Sequence, residues 1–150
     1  MLLPLSLLLP KPDACQGCPL YGDGWGFTPD TLQPNAEVTI LAQAPGAHEE
    51  AGERVVGYQY VGRRRVPLTE PNADGPRPLI GVTGFDMETD FLPRAGLTRD
   101  QVNLCNVIKC RVQRIGKHGK VERVNDLPTG ETLTTAVHHC TAAYLRIPRT

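Results

Sequence analysis

The sequence predicts an α/β fold built on a short parallel sheet. Two short apolar, β-rich runs, residues 37–42 and 101–108, are each followed by a loop and then by a helical pattern. That order, strand, loop, helix, strand, loop, helix, is the pattern of parallel strands with helices packed across them. The chain has 150 residues, which suits one domain, and its 15 Gly and 14 Pro imply many turns between few long elements. At 40% hydrophobic and 21% charged residues it can bury a core, which excludes global disorder.

Residues 1–10, Met-Leu-Leu-Pro-Leu-Ser-Leu-Leu-Leu-Pro, resemble the core of a secretion signal, but no basic residue precedes the run and Pro4 and Pro10 break it. They are read as an apolar arm laid on the domain. No stretch approaches the roughly 20 apolar residues of a membrane span. Residues 11–36 are a turn-rich loop, so something other than periodic burial must hold them. The strand over 37–42 runs into Gln43-Ala44-Pro45-Gly46, and the loop after a buried strand is where open α/β sheets bind ligands. Residues 52–78 read as a long, irregular, mobile surface insertion containing Arg63, Arg64 and Arg65.

Met87, Phe91 and Ala95 recur every four residues and predict a helix over 86–95, stopped by Gly96 and ended or kinked early by Pro93. The second strand follows over 101–108, then a basic loop over 109–130, then a helix over 131–145 that carries Cys140. Two strands make a poor sheet, so the C-terminal part of the domain is expected to be missing.

Lys+Arg and Asp+Glu both number 16, which excludes a uniformly basic protein. The charges are nevertheless segregated. Seven acids stand against Lys11 in residues 1–53, a net of −6, so residues 54–150 carry +6. Residues 109–124 hold Lys109, Arg111, Arg114, Lys117, Lys120 and Arg123 against Glu122, a net of +5 that could neutralise several phosphates. Glu49 and Glu50 read as part of a solvated face.

The five cysteines are Cys15, Cys18, Cys105, Cys110 and Cys140. An odd count argues against a disulfide framework and for reduced thiols in a cytoplasmic protein. Cys15-Gln16-Gly17-Cys18 is a hook able to turn two thiolates onto one centre. Cys110 beyond the second strand and Cys140 in the last helix could complete four ligands for zinc or an iron–sulfur cluster, whereas Cys105 within the strand suits a small buried hydrophobe.

In this order the motifs resemble the iron–sulfur uracil-DNA glycosylases of the family 4 type and their viral relatives. The matching segments are Cys15-x-x-Cys18-Pro19-Leu20, Gln43-Ala44-Pro45-Gly46 with Glu49-Glu50 following, Arg77-Pro78-Leu79-Ile80-Gly81-x-Thr83-Gly84, Ala95-Gly96-Leu97-Thr98-Arg99 and Asn106-Val107-Ile108-Lys109-Cys110-Arg111. The resemblance implies a single three-layer α/β/α domain. It also implies a structural [4Fe–4S] cluster on Cys15, Cys18, Cys110 and Cys140, with zinc as the alternative. The implied activity is hydrolysis of the N-glycosidic bond of uracil flipped out of DNA, in base excision repair, by a monomer.

Asn106 would read the base edge, since its amide offers both a donor and an acceptor. Ala44, Pro45 and Gly46 would cradle the base, Gln43 would stand at the catalytic position, and Leu79 would wall the pocket. Lys109, Arg111, Arg114, Lys117 and Lys120 would contact DNA. Three departures from the family are visible. Gln43 replaces an acidic residue, Leu79 replaces a stacking aromatic, and no His-Pro-Ser type segment is present, His138 and His139 being read as helix residues. These departures favour the first alternative, a catalytically impaired DNA-binding relative; a zinc-stabilised interaction module is the second.

Overall fold

The computed structural model describes residues 8–113 and 129–144. Its centre is a two-stranded parallel sheet of β1 (Val38–Ala42) and β4 (Val102–Asn106), paired from Val38 opposite Val102 to Ala42 opposite Asn106. This is the expected short parallel sheet in a mixed α/β fold. Every residue of β4 is buried, because its second edge is also covered. Thr31 makes an antiparallel bridge with Leu104, exchanging two backbone hydrogen bonds of 2.9 Å, and the Thr28 N–H reaches the Lys109 carbonyl at 2.8 Å. The turn-rich N-terminal loop is therefore anchored through its backbone.

The helix expected over 86–95 starts earlier. It is a continuous helical stretch made of α2 (Val82–Asp86), one π turn (Met87–Phe91) and α3 (Leu92–Arg94). In the wide turn the Leu92 N–H bonds to the Met87 carbonyl, just ahead of Pro93, which has no N–H to continue a regular ladder. Gly96, at φ +69°, follows its end as a left-handed stop. Leu79, Met87, Leu92, Val102 and Leu104 pack together, with Ile40 and Ala42 of β1 against them. The last helix, α4 (Gly130–Tyr144), carries Cys140. Its Ala136 and Cys140 join Cys18, Leu20, Ile108, Cys110 and Val112 in a second cluster beyond the ends of the parallel strands. No described helix is long and apolar enough to cross a membrane.

The expectation of an irregular segment over 52–78 is overturned. Residues there form a hairpin of β2 (Glu53–Val61) and β3 (Arg64–Pro71), antiparallel, with an irregularity between Val55 and Gly57. Gly62 at φ +62° and Arg63 make a two-residue turn in which only the first residue is left-handed, a pattern suited to hairpins. The prolines mislead because Pro67 and Pro71 occupy strand positions with only one neighbouring strand, where a missing N–H is tolerated. The short helix α1 (Ala47–Ala51), between β1 and the hairpin, is capped at both ends by glycine, Gly46 and the left-handed Gly52.

Candidate functional site

A cavity of about 390 Å³ opens at the C-terminal end of β1. The loop Gln43-Ala44-Pro45-Gly46 forms one wall and Leu79 and Thr83 another, with Ala42, Glu49 and Val112 completing the lining. The two walls are separated by more than 30 residues of chain, and a single carboxylate ties them together. Glu49 accepts a very short hydrogen bond from the Gly46 N–H through Oε2 and a 2.6 Å bond from the Leu79 N–H through Oε1.

Leu79 is the one non-glycine residue among those described with a left-handed backbone, φ +54°. Such a conformation costs a bulky residue roughly 1–2 kcal/mol and persists only where its surroundings fix it. Here the Leu79 carbonyl accepts from Arg99 Nη1 and the Pro78 carbonyl from Arg99 Nη2, both at 2.6 Å, while Arg99 pairs with Glu88 at 2.7 Å. Helix α2 also lies directly on this peptide. A Cβ at Gly84 would stand 1.7 Å from the Leu79 oxygen, so only glycine fits.

Glu49 and Glu50 are thus not a solvated face. Both are buried, because each satisfies backbone N–H groups that would otherwise be stranded. Glu50 Oε1 accepts from Trp25 at 2.6 Å and Gly26 at 3.0 Å, pinning the N-terminal loop. Burial raises the Glu49 pKa above the usual glutamate value, against the lowering effect of the Gly46 and Leu79 N–H groups and Arg99. The folded chain therefore holds this proton more tightly than the unfolded one. Its contribution to stability is full below the ordinary glutamate range and declines as pH rises through the raised value. Glu49→Gln is expected to lose one acceptor, lower stability by about 2 kcal/mol and flatten that pH dependence, giving a melting temperature roughly 4–8 °C lower in thermal denaturation.

Asn106 ends β4 directly opposite Ala42 of the cavity wall. It is 0% exposed, yet neither Oδ1 nor Nδ2 of its side chain has a hydrogen-bond partner among the described residues. Its backbone, by contrast, is held from both sides. The N–H donates to Asp30 Oδ1 at 3.2 Å and the carbonyl accepts from Lys109 Nζ. Asn106 itself is not among the residues that line the cavity, although Ala42, its partner across the sheet, is; its amide offers one donor group and one acceptor.

Lys109 must be removed from the DNA-contacting set. It is 1% exposed and its ammonium pairs with Asp30 at 2.5 Å, so burial and pairing leave nothing to offer a phosphate. Arg111 is half-buried beside Gly46, Glu49 and Thr83 in a groove adjoining the cavity, and its Nε lacks a partner among the described residues. Arg114, Lys117 and Lys120 lie outside the described residues.

Cys15, Cys18, Cys110 and Cys140 are all buried and line one small cavity with Lys11, Leu20 and His139. Cys105 does not line it. Burial, opposed by Lys11 and reinforced by the neighbouring Cys140 and Cys18, pushes the Cys110 thiol up to about 12. Burial likewise raises Cys140. The hook itself is shaped by a short 3-10 turn (Asp13–Cys15) and by Lys11, whose ammonium gathers the carbonyls of Leu20, Tyr21 and Asp23. Among the described residues no three His, Cys, Asp or Glu side chains are grouped as a ready site for a metal ion.

Residues 29–147 match the Uracil DNA glycosylase superfamily. The chain belongs to that superfamily. No curated protein matches it. The matched span contains the cavity loop, Leu79, Asn106, Cys110 and Cys140 of this glycosylase-superfamily protein, whereas Cys15 and Cys18 precede it. Superfamily membership supports DNA as the partner. Of three residues that hold the site together, Asp30 is not marked in the sequence, while Glu49 and Arg99 stand in matching motifs without a role, Glu49 being read as solvated. Only Glu49 left a local signal there, as the third residue after a capping Gly46.

Proposed function

We propose that the protein hydrolyses the N-glycosidic bond of uracil in DNA. The observation that carries this reading is the buried Asn106 amide, without a partner among the described residues, set across the sheet from Ala42 of a cavity walled by the 43–46 loop and Leu79. Asn106 reads the edge of the flipped base by one donated and one accepted hydrogen bond. The 43–46 backbone and Leu79 enclose the base. In the reaction the bond from the base nitrogen to the sugar C1′ breaks, the base leaves with the electron pair and gains a proton, and the oxygen of a water adds to C1′. Gln43 can orient that water but cannot take its proton. Glu49 is the acidic side chain lining the cavity, and when ionised it would favour positive charge developing on a sugar bound there.

The donor chemistry of the four thiols that line one cavity suits a [4Fe–4S] cluster, with zinc as the other centre it allows, although their side chains are not drawn together as a ready metal site. Cys15, Cys18, Cys110 and Cys140 would hold it, and when bound it supplies a cross-link between the N-terminal loop and α4. No step of base release passes through it.

Incubation with a single-stranded oligonucleotide carrying one uracil, followed by alkaline cleavage, tests the activity. An alkali-labile site at the uracil is the expected result, and strand integrity at saturating protein overturns it. Gln43 in place of a carboxylate favours a second reading, a DNA-binding relative that releases no base, and the same strand-integrity result combined with retained DNA binding would establish it.

A further inference from the structure

The β2–β3 hairpin takes no part in the cavity, yet it stands on the helix that walls it. Thr83 of α2 lines the cavity, and Phe85, two residues on, meets the Tyr58 ring of the hairpin edge-on, with centroids 5.3 Å apart. Arg65 lies with its guanidinium 3.5 Å from the Tyr58 centroid and 3.9 Å from Asp86, so the outer half of the hairpin is docked on α2 close to its turn. Tyr60, on the same face as Tyr58 and directly opposite Arg65, is 74% exposed.

Arg63 and Arg64, at and next to the turn, are exposed, and their side chains form no ion pair or hydrogen bond with any described residue. Residues 57–69 contain three arginines and no acid, a net of +3. Edge protection would place charges along the open strands, whereas these are concentrated at the turn beside an uncovered aromatic ring. A fixed cationic turn next to an exposed ring is the combination that grips a single strand, by phosphate neutralisation and base stacking.

We propose that this hairpin is a second DNA contact, in which Arg63 and Arg64 bind phosphates of strand flanking the cavity and Tyr60 stacks on an unpaired base there. The proposal rests on the reading of the cavity as a base site in DNA. Its test uses a labelled single-stranded oligonucleotide without uracil, bound by the full chain across a potassium chloride series. Arg63→Ala combined with Arg64→Ala is expected to lower the slope of log affinity against log salt by about 1.4, the release expected for two single-strand phosphates. Tyr60→Ala is expected to weaken binding about five-fold or more with the slope unchanged.

All three residues are exposed, so an unchanged melting temperature checks that each variant is folded. An unchanged slope in the double variant overturns the hairpin contact. Base release measured in parallel separates the two readings. Release by the wild type with no effect of the arginine changes on binding leaves the cavity reading intact and removes the hairpin. No release by the wild type with a reduced slope removes the cavity reading and keeps the hairpin as a DNA contact.

Discussion

Asn106→Leu is expected to reduce uracil release by about 10²-fold while leaving the protein as stable as the wild type or more so. Leucine nearly matches the shape of asparagine but carries no polar atoms. The substitution therefore removes a donor and an acceptor that are buried with no partner among the described residues. Leaving such a group unsatisfied costs about 1–3 kcal/mol, so its replacement by an apolar side chain recovers part of that cost. In the substrate complex the sign reverses. The two hydrogen bonds to the base edge, each about 1–1.5 kcal/mol, disappear, and the edge of the base is left facing an apolar side chain. Together that approaches 3 kcal/mol, or about 10²-fold in rate. Thermal denaturation and single-turnover release on one oligonucleotide measure both. A melting temperature that falls together with activity would show that Asn106 is an ordinary core polar residue.

This opposition between stability and activity also explains what the sequence disclosed. The parallel strands and the loop after β1 are written locally, in runs of aliphatic residues closed by Pro45-Gly46, and they lie where that pattern puts them. Asn106 could be singled out because it ends such a strand. The clamp around it could not. Lys109 looks like any member of a basic run until Asp30, 79 residues away, is folded against it. Glu49 and Glu50 look solvated because their partners are backbone N–H groups of Gly46 and Leu79 and of Trp25 and Gly26, and backbone groups carry no mark in a sequence. The left-handed Leu79 is the extreme case. Its conformation is imposed by Arg99, Glu49 and the close approach of Gly84, none of which its own identity foretells. The hairpin was hidden for a different reason, since counting Gly and Pro obscured the alternation of Tyr58, Tyr60, Val66 and Leu68 around a two-residue turn.

Cys140→Ser is expected to strip the proposed metal centre from the protein and lower its melting temperature by about 10–20 °C. The thiols concerned come from opposite ends of the described chain, Cys15 before β1 and Cys140 in α4. A centre that joins them closes a loop of about 125 residues, and in the chain-entropy account such a link removes about 5 kcal/mol of unfolded-state freedom. At roughly 2–4 °C per kcal/mol for a chain of this size, that is the stated shift. The N-terminal loop should suffer first, because its other hold on α4 is apolar packing of Cys18 and Leu20 on Ala136, the Phe27–Tyr144 ring contact and two polar contacts. The Cys15 thiol lies 3.1 Å from the Tyr144 hydroxyl and His139 Nε2 lies 2.6 Å from the Ala14 carbonyl. Limited proteolysis of Cys140→Ser is thus expected to cut within residues 11–26 before any other site. Cys105→Ala is the control, a buried thiol outside the cluster cavity, expected to cost about 1 kcal/mol and to leave metal content unchanged. Metal analysis after anaerobic purification decides the centre. Iron and sulfide in equal amounts in the wild type and their loss in Cys140→Ser are the expected result, one zinc per chain would replace the cluster with a mononuclear site, and neither metal in the wild type would reduce the four cysteines to core packing.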